Sequence, residues 1–152
     1  RLAKLDAGQF DAIMLATAGL LRLGFDERIG ARIGPDVSLP AGGQGAVGIE
    51  YRDNDHQTAE LLAPLQHDLT AICVRAERAL VRRLDGGCDV PIASYAVMED
   101  GQLWLRGRVG SPDGDTLLLA EARGDDPAML GVAVAEQLLE QGATAILAAV
   151  RA

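Results

Sequence analysis

The residues with most chemistry to offer lie together between Glu77 and Ala93. Within that stretch a single cysteine, Cys88, follows Gly86 and Gly87 and precedes Pro91. The glycines bring no side-chain bulk to the approach, and Pro91 fixes the backbone at the exit. A sulfur in that setting reads as presented, not packed. The reactive form of cysteine is the thiolate, and nearby cations favour it. Arg82 and Arg83 lie one to two turns upstream and can supply them. Three chemistries are open to such a thiol. A nucleophile that turns over needs a general base, usually histidine. Only His56 and His67 exist, both among polar residues. A redox thiol needs a resolving partner, and none is close in sequence. A permanent covalent anchor needs only access and one alkylation event.

The element that positions Cys88 is the clearest helix in the chain, about 68–84. Leu69, Ile72, Cys73, Ala76, Leu80 and Leu84 recur at three- and four-residue spacing and predict one buried stripe. Cys73 falls on that stripe and reads as core. Arg75, Arg78 and Arg82 share another face. A basic patch of this kind can attract an anionic small molecule, but on charge alone a solvated helix face is the simpler reading. Beyond Cys88 the pattern predicts strands at about 94–98, 102–110 and 116–122, with turns at 99–101 and 111–114. Asp126 and Pro127 then read as the cap and first position of a helix that runs to about Gln141 and stops at Gly142. A short helix over 144–151 follows. Helix, three strands and helix make an α+β domain with an antiparallel meander.

The first part of the chain is less regular. Residues 1–9 read as a short amphipathic helix. Phe10–Ala16 is an apolar run expected to form a buried strand, with Thr17 capping a helix to about Gly24. A strand feeding a helix can present free backbone N–H groups to an anion, although an ordinary β-to-α connection is the simpler reading. Residues 34–46 are rich in glycine and proline and read as a connection. The run Gly42, Gly43, Gln44, Gly45 lacks the lysine and hydroxyl residue of a phosphate loop and precedes a predicted strand, so it is not one. That strand is expected at Ala46–Arg52, followed by a helix at about 57–65.

Composition narrows the function classes. The 152 residues carry a net charge of −8, which argues against general nucleic-acid binding. Charges interrupt every apolar run before it reaches membrane-spanning length. A hydrophobic content of 49% with only 3% aromatics leaves the core to Leu, Ile, Val and Ala. Cys73 and Cys88 have no zinc-like spacing, so no metal site is expected, and a reduced cytoplasmic setting fits them better than a disulfide.

The stretch from Glu77 to Ala93 resembles the cofactor-attachment signature of the porphobilinogen deaminases, also called hydroxymethylbilane synthases. The matching positions are Glu77 and Arg78, a spacer with apolar positions, then Gly86, Gly87, Cys88, Val90, Pro91 and Ile92. Collinear support comes from Arg1 and Leu2, from Asp11–Ile13, from Ala18–Leu20, from Leu39–Ala41 and from Gly43–Glu50. The resemblance covers about the C-terminal half of such an enzyme. It implies a transferase of porphyrin, tetrapyrrole and haem biosynthesis. Four porphobilinogen units are joined, with loss of ammonia, into hydroxymethylbilane on a dipyrromethane primer. The primer is held by a thioether to the cysteine matching Cys88. Arg1 and Arg22 match arginines that bind acidic groups of primer or substrate, and Gln44 lies in the family's Gly-Gln-Gly turn near the inter-domain cleft. Glu77 and Arg78 match signature positions that look structural. The family's catalytic aspartate lies upstream of the matched region, so no catalytic residue is assigned here.

The resemblance further implies a C-terminal α+β domain of three-stranded antiparallel sheet with helices at 67–152. It is preceded by remnants of two α/β domains of periplasmic-binding-protein type. Residues 1–40 would belong to the second of these, and 41–66 would return to the first. The implied partners are porphobilinogen, the N-terminal half of the same chain, and uroporphyrinogen-III synthase through product handover. The implied state is a cytoplasmic monomer without nucleic acid or membrane. On this map the 152 residues alone are expected to be inactive. The competing reading is a non-catalytic module that carries a tetrapyrrole, or a purely structural α+β domain.

Overall fold

A computed structural model describes residues 1–87 and 90–151. The chain divides into two compact units, Arg1–Gly34 and Pro35–Ala152.

The first unit holds α1 (Leu2–Asp6), α2 (Thr17–Arg22) and a 3-10 turn at Asp26–Arg28. Arg28 is ion-paired with Asp6. None of its residues is buried, and Phe10, Met14 and Leu23 are 52%, 69% and 70% exposed. The strand expected at Phe10–Ala16 is absent, because its backbone finds no partner within these 34 residues. Thr17 does not cap α2 either. Ala16 occupies the cap position, without a side-chain hydrogen bond.

The second unit contains α3 (His56–Leu62) with a 3-10 turn at Ala63–Leu65, then α4 (Asp68–Arg83). The sheet follows as β1 (Ile92–Glu99), β2 (Gln102–Gly110) and β3 (Leu117–Gly124), and the chain ends with α5 (Pro127–Glu140) and α6 (Ala143–Arg151). The sheet is an antiparallel meander in the order β1-β2-β3, with Ala96 opposite Leu105 and Leu105 opposite Ala122. Its first turn is a two-residue hairpin with Asp100 and Gly101 at φ of 51° and 78°. Positive φ at both centres matches the twist of the flanking strands. Asp126 caps α5 as expected, its carboxylate accepting from the N–H groups of Ala128 and Met129 at 2.8 and 2.9 Å.

One face of the sheet is covered by α4 and α5, giving a two-layer α+β architecture. The core is Ala76, Leu80 and Leu84 of α4, Leu103, Leu105 and Val109 of β2, and Leu130, Val134, Ala135 and Leu138 of α5, with Ala143 and Leu147 of α6 closing one end. Alternate residues of β2 point inward, as a half-covered sheet requires. The two helices cross at Gly131. A Cβ there would lie 2.5 Å from the Ala76 carbonyl oxygen and from the Ala79 Cβ.

The other sheet face carries Trp104, Arg106 and Arg123. The Arg106 guanidinium sits 4.3 Å from the Trp104 ring centroid and is ion-paired with Asp36 at 2.6 Å. This pins the segment that precedes Leu39, itself buried, to the second unit. Two sequence expectations fail here. Leu69, placed on the α4 stripe, is 55% exposed, because the stripe turns away from the sheet at the helix start. Ala46–Arg52 is not a strand, and Val47 is 91% exposed. As with Phe10–Ala16, apolar residues in sequence do not supply a neighbouring backbone.

Candidate functional site

The signature is mounted on three pieces of the second unit. α4 leads into it, β1 leads out of it, and the turn Gly42–Gly45 lies against both. Cys88 and Asp89 lie outside the described residues. α4 ends at Arg83, with Leu84 as its cap and Asp85 at φ 52°. The Gly86 N–H then donates to the Val81 carbonyl at 2.8 Å. A Cβ on Gly86 would come within 2.8 Å of Ile92 Cδ1 and 2.9 Å of Val81 Cγ1. Gly86 is therefore the point where the incoming helix and the outgoing strand touch. Gly87 differs, since a Cβ there meets nothing within 4 Å among the described residues. The two glycines do different jobs, one closing the neck of the loop and one leaving space.

Glu77 organises the other side. Its position on α4 lies four residues after Cys73 and three before Leu80, on the buried stripe, and only 6% of it is exposed. One carboxylate oxygen accepts from the Gly43 N–H at 2.6 Å and the other from the Ala96 N–H at 2.8 Å. Burial raises its pKa, and these two hydrogen bonds oppose that rise. Among the described residues no cation pairs with it. The Ser94 N–H donates to the Pro40 carbonyl at 3.0 Å, so the same chain segment is tied down twice. The fit leaves no room at Gly42, where a Cβ would lie 2.6 Å from Ser94 Oγ.

The turn, α4 and β1 enclose a cleft of about 490 Å³, bordered by Gln44, Thr70, Cys73, Glu77, Tyr95 and Met98. Cys73 is half-buried there. Burial and the Glu77 charge push its thiol up, which keeps it protonated and a poor nucleophile. The reading of Cys73 as a packing residue agrees with its place against the core. Among the described residues the cleft offers no acid–base pair, because its carboxylate, that of Glu77, is committed to two amides.

The sequence-predicted site residues fall as follows. Arg1 is exposed at the cap of α1, and Arg22 is exposed in the last turn of α2, both in the first unit. Gln44 is exposed in the second unit, where its side-chain oxygen accepts from the Ala41 N–H at 3.3 Å and so folds over its own turn. Arg83, considered as a cation for Cys88, is bound to Glu136 of α5 at 2.6 Å. The histidines act at helix starts. His67 caps α4 through Nδ1, which receives the Thr70 N–H at 3.3 Å, and His56 opens α3 behind the Asp55 cap. Sequence reasoning read Glu77 as a structural signature position without identifying what it holds. Its signal was present, since a glutamate occupies an apolar stripe position.

Among the described residues no group of three or more histidine, cysteine or carboxylate side chains could hold a metal ion. No helix among them is long and apolar enough to cross a membrane.

Comparison with known families gives two matches in chain order. A family model described as the porphobilinogen deaminase dipyromethane cofactor binding domain matches residues 1–60. A second, described as the porphobilinogen deaminase C-terminal domain, matches residues 71–140 and so spans α4, the sheet and α5.

Proposed function

Because the chain belongs to the porphobilinogen deaminase family, we propose that it anchors the dipyrromethane primer of that reaction through a thioether at Cys88. The family consists of transferases of tetrapyrrole biosynthesis that use porphobilinogen. The observation that carries the proposal is the Gly86–Cys88 signature, placed between α4 and β1 within the stretch that matches the C-terminal domain.

The donor set fits the group. Each pyrrole bears an acetate and a propionate, so a primer needs one thiol and several cations. Four arginines of the chain are already neutralised: Arg28 by Asp6, Arg83 by Glu136, Arg106 by Asp36 and Arg123 by Glu99. Arg1 and Arg22 hold no carboxylate among the described residues and remain open to an anion. A guanidinium binds a carboxylate through two parallel N–H donors, which fixes orientation as well as charge. In this proposal Cys88 anchors the primer, Arg1 and Arg22 each bind a carboxylate of primer or substrate, and Gln44 is a further cofactor-binding residue. The bound dipyrromethane supplies the terminal pyrrole to which porphobilinogen units are joined.

We also propose that the working enzyme is a longer polypeptide, a cytoplasmic monomer whose catalytic aspartate lies outside these residues. The support is physical. Phe10–Ala16 and Ala46–Arg52 carry exposed apolar side chains and form no strand, as segments completed by another sheet would. On this reading residues 1–40 and 41–66 belong to two such sheets. The test is a steady-state assay for hydroxymethylbilane with the 152-residue chain, the longer polypeptide, and the longer polypeptide carrying Cys88→Ser. Turnover is expected only from the second. Turnover from the 152 residues alone refutes the need for more chain, and turnover from the serine variant refutes the anchor.

A further inference from the structure

We propose that Glu77 is a positioning residue, whose carboxylate fixes the Gln44 turn against the two elements that flank Cys88. The proposal rests on the deaminase reading and adds a residue to it. Glu77 leaves α4 two turns before the cysteine loop and reaches in two directions. Through Ala96 it grips β1, the strand on the far side of that loop, and through Gly43 it grips the residue beside Gln44. A single side chain thus joins the incoming helix, the outgoing strand and the turn.

The surrounding contacts make this joint stiff. Pro40 accepts from the Ser94 N–H two residues along β1, and Ser94 Oγ and Val81 Cγ2 crowd Gly42. On the next turn of α4 toward its N-terminus, Cys73 borders the same cleft as Met98 of β1. Two successive outward N–H groups of β1, at residues 94 and 96, therefore meet Pro40 and Glu77 in turn. Cys73 is the titratable group facing Glu77 from its own helix. From β1 and from the turn, the groups that bond it are the Ala96 and Gly43 amides, neither of them charged. A carboxylate is also the one side chain that suits both contacts, because it accepts twice and donates nothing. Glutamine would set an NH2 group against one of the two N–H donors. Aspartate keeps the charge but is one methylene too short to span both.

The experiment uses the longer polypeptide as wild type, Glu77→Gln and Glu77→Asp, with two readouts on each protein. Amide exchange reads the tie itself. Gly43 is expected to exchange at least tenfold faster in both variants, while Leu105 and Val134 in the core keep their wild-type protection. Steady-state kinetics reads positioning. kcat/KM for porphobilinogen is expected to fall tenfold or more while the primer content, read by mass, stays at the wild-type level. Unchanged Gly43 exchange overturns the tie. Faster exchange with unchanged kcat/KM shows a structural bond only and overturns positioning. A wild-type protein with neither primer nor turnover overturns the deaminase reading instead, which sets that failure apart from a failure of Glu77.

Discussion

Replacing each signature glycine by alanine separates the roles that the sequence lumps together. At Gly86 the new methyl would meet Ile92 Cδ1 at 2.8 Å, Val81 Cγ1 at 2.9 Å and the Val81 carbonyl at 3.2 Å. Ordinary contact begins near 3.4 Å, so about half an ångström must be found on two sides. Ile92 Cδ1 is a chain end and can rotate away. Val81 cannot follow, since a β-branched residue in a helix has one good rotamer, and its carbonyl is held by the Gly86 N–H at 2.8 Å. Overpacking of this kind costs about 1–3 kcal/mol. For a unit of this size that lowers Tm by roughly 3–12 °C. At Gly87 no described atom lies within 4 Å of the new Cβ, and its φ is outside the left-handed region. Alanine there leaves stability within about 0.5 kcal/mol, or raises it by about 0.4–1 kcal/mol by restricting the unfolded chain. Urea unfolding of the chain, followed by circular dichroism, reads both variants, and a change in midpoint at constant slope isolates stability. Gly86→Ala at wild-type stability, or Gly87→Ala as damaged as Gly86→Ala, would refute the assignment of the neck contact to Gly86.

Gly131→Ala sets helix propensity against packing. Propensity favours alanine by about 1 kcal/mol, but its methyl would meet the Ala76 carbonyl oxygen and the Ala79 Cβ at 2.5 Å, both on a helix that cannot swing aside. The variant is expected to melt lower than wild type by more than Gly86→Ala does, and a higher Tm would show that the α4–α5 crossing is looser than described. Glu77 predicts a pH effect of defined sign. Its pKa is raised in the folded chain, so the folded state holds the proton more tightly than the unfolded one. Its contribution to stability therefore declines as pH rises from the ordinary glutamate pKa to the raised value. Urea midpoints across that window should show the decline in wild type and lack it in Glu77→Gln, and the same slope in both would remove Glu77 as its source.

Much of the second unit was legible in the chain itself. α4 declared itself by the spacing of Ile72, Ala76, Leu80 and Leu84, and α5 by Asp126 and Pro127 at its start. Asp100 and Gly101 marked the first hairpin because only residues tolerant of positive φ suit such a turn. These are local rules, and local rules survive when the partner elements are nearby in sequence. Phe10–Ala16 and Ala46–Arg52 failed for the converse reason, since a strand exists only with a neighbour and no periodicity reveals one. Thr17 was read as a cap from residue type alone, whereas the helix begins with Ala16 in that place.

The site was legible in its chemistry and opaque in its carpentry. The spacing of Gly86, Gly87, Cys88 and Pro91 pointed to a presented thiol, but did not say which glycine closes the loop. The clash that distinguishes them involves Val81 and Ile92, one on each side of the cysteine. Glu77 sat in view as a charge on an apolar stripe. Its two acceptors became meaningful only with the turn at Gly43 and the strand at Ala96 in place, and these lie 34 and 19 residues away. The arginines show the same limit. Charge counting treated Arg82 and Arg83 alike, while Glu136 on α5 holds one of them.

The central claim is that Cys88 carries a covalent dipyrromethane, and the most direct test is the mass of the Cys88 peptide from the longer polypeptide as purified. The account predicts an added mass of two porphobilinogen units less two molecules of ammonia, one lost in forming the thioether and one in joining the units, with the Cys73 peptide unmodified. An unmodified Cys88 peptide, in protein that also gains no mass on incubation with preformed hydroxymethylbilane, would contradict it.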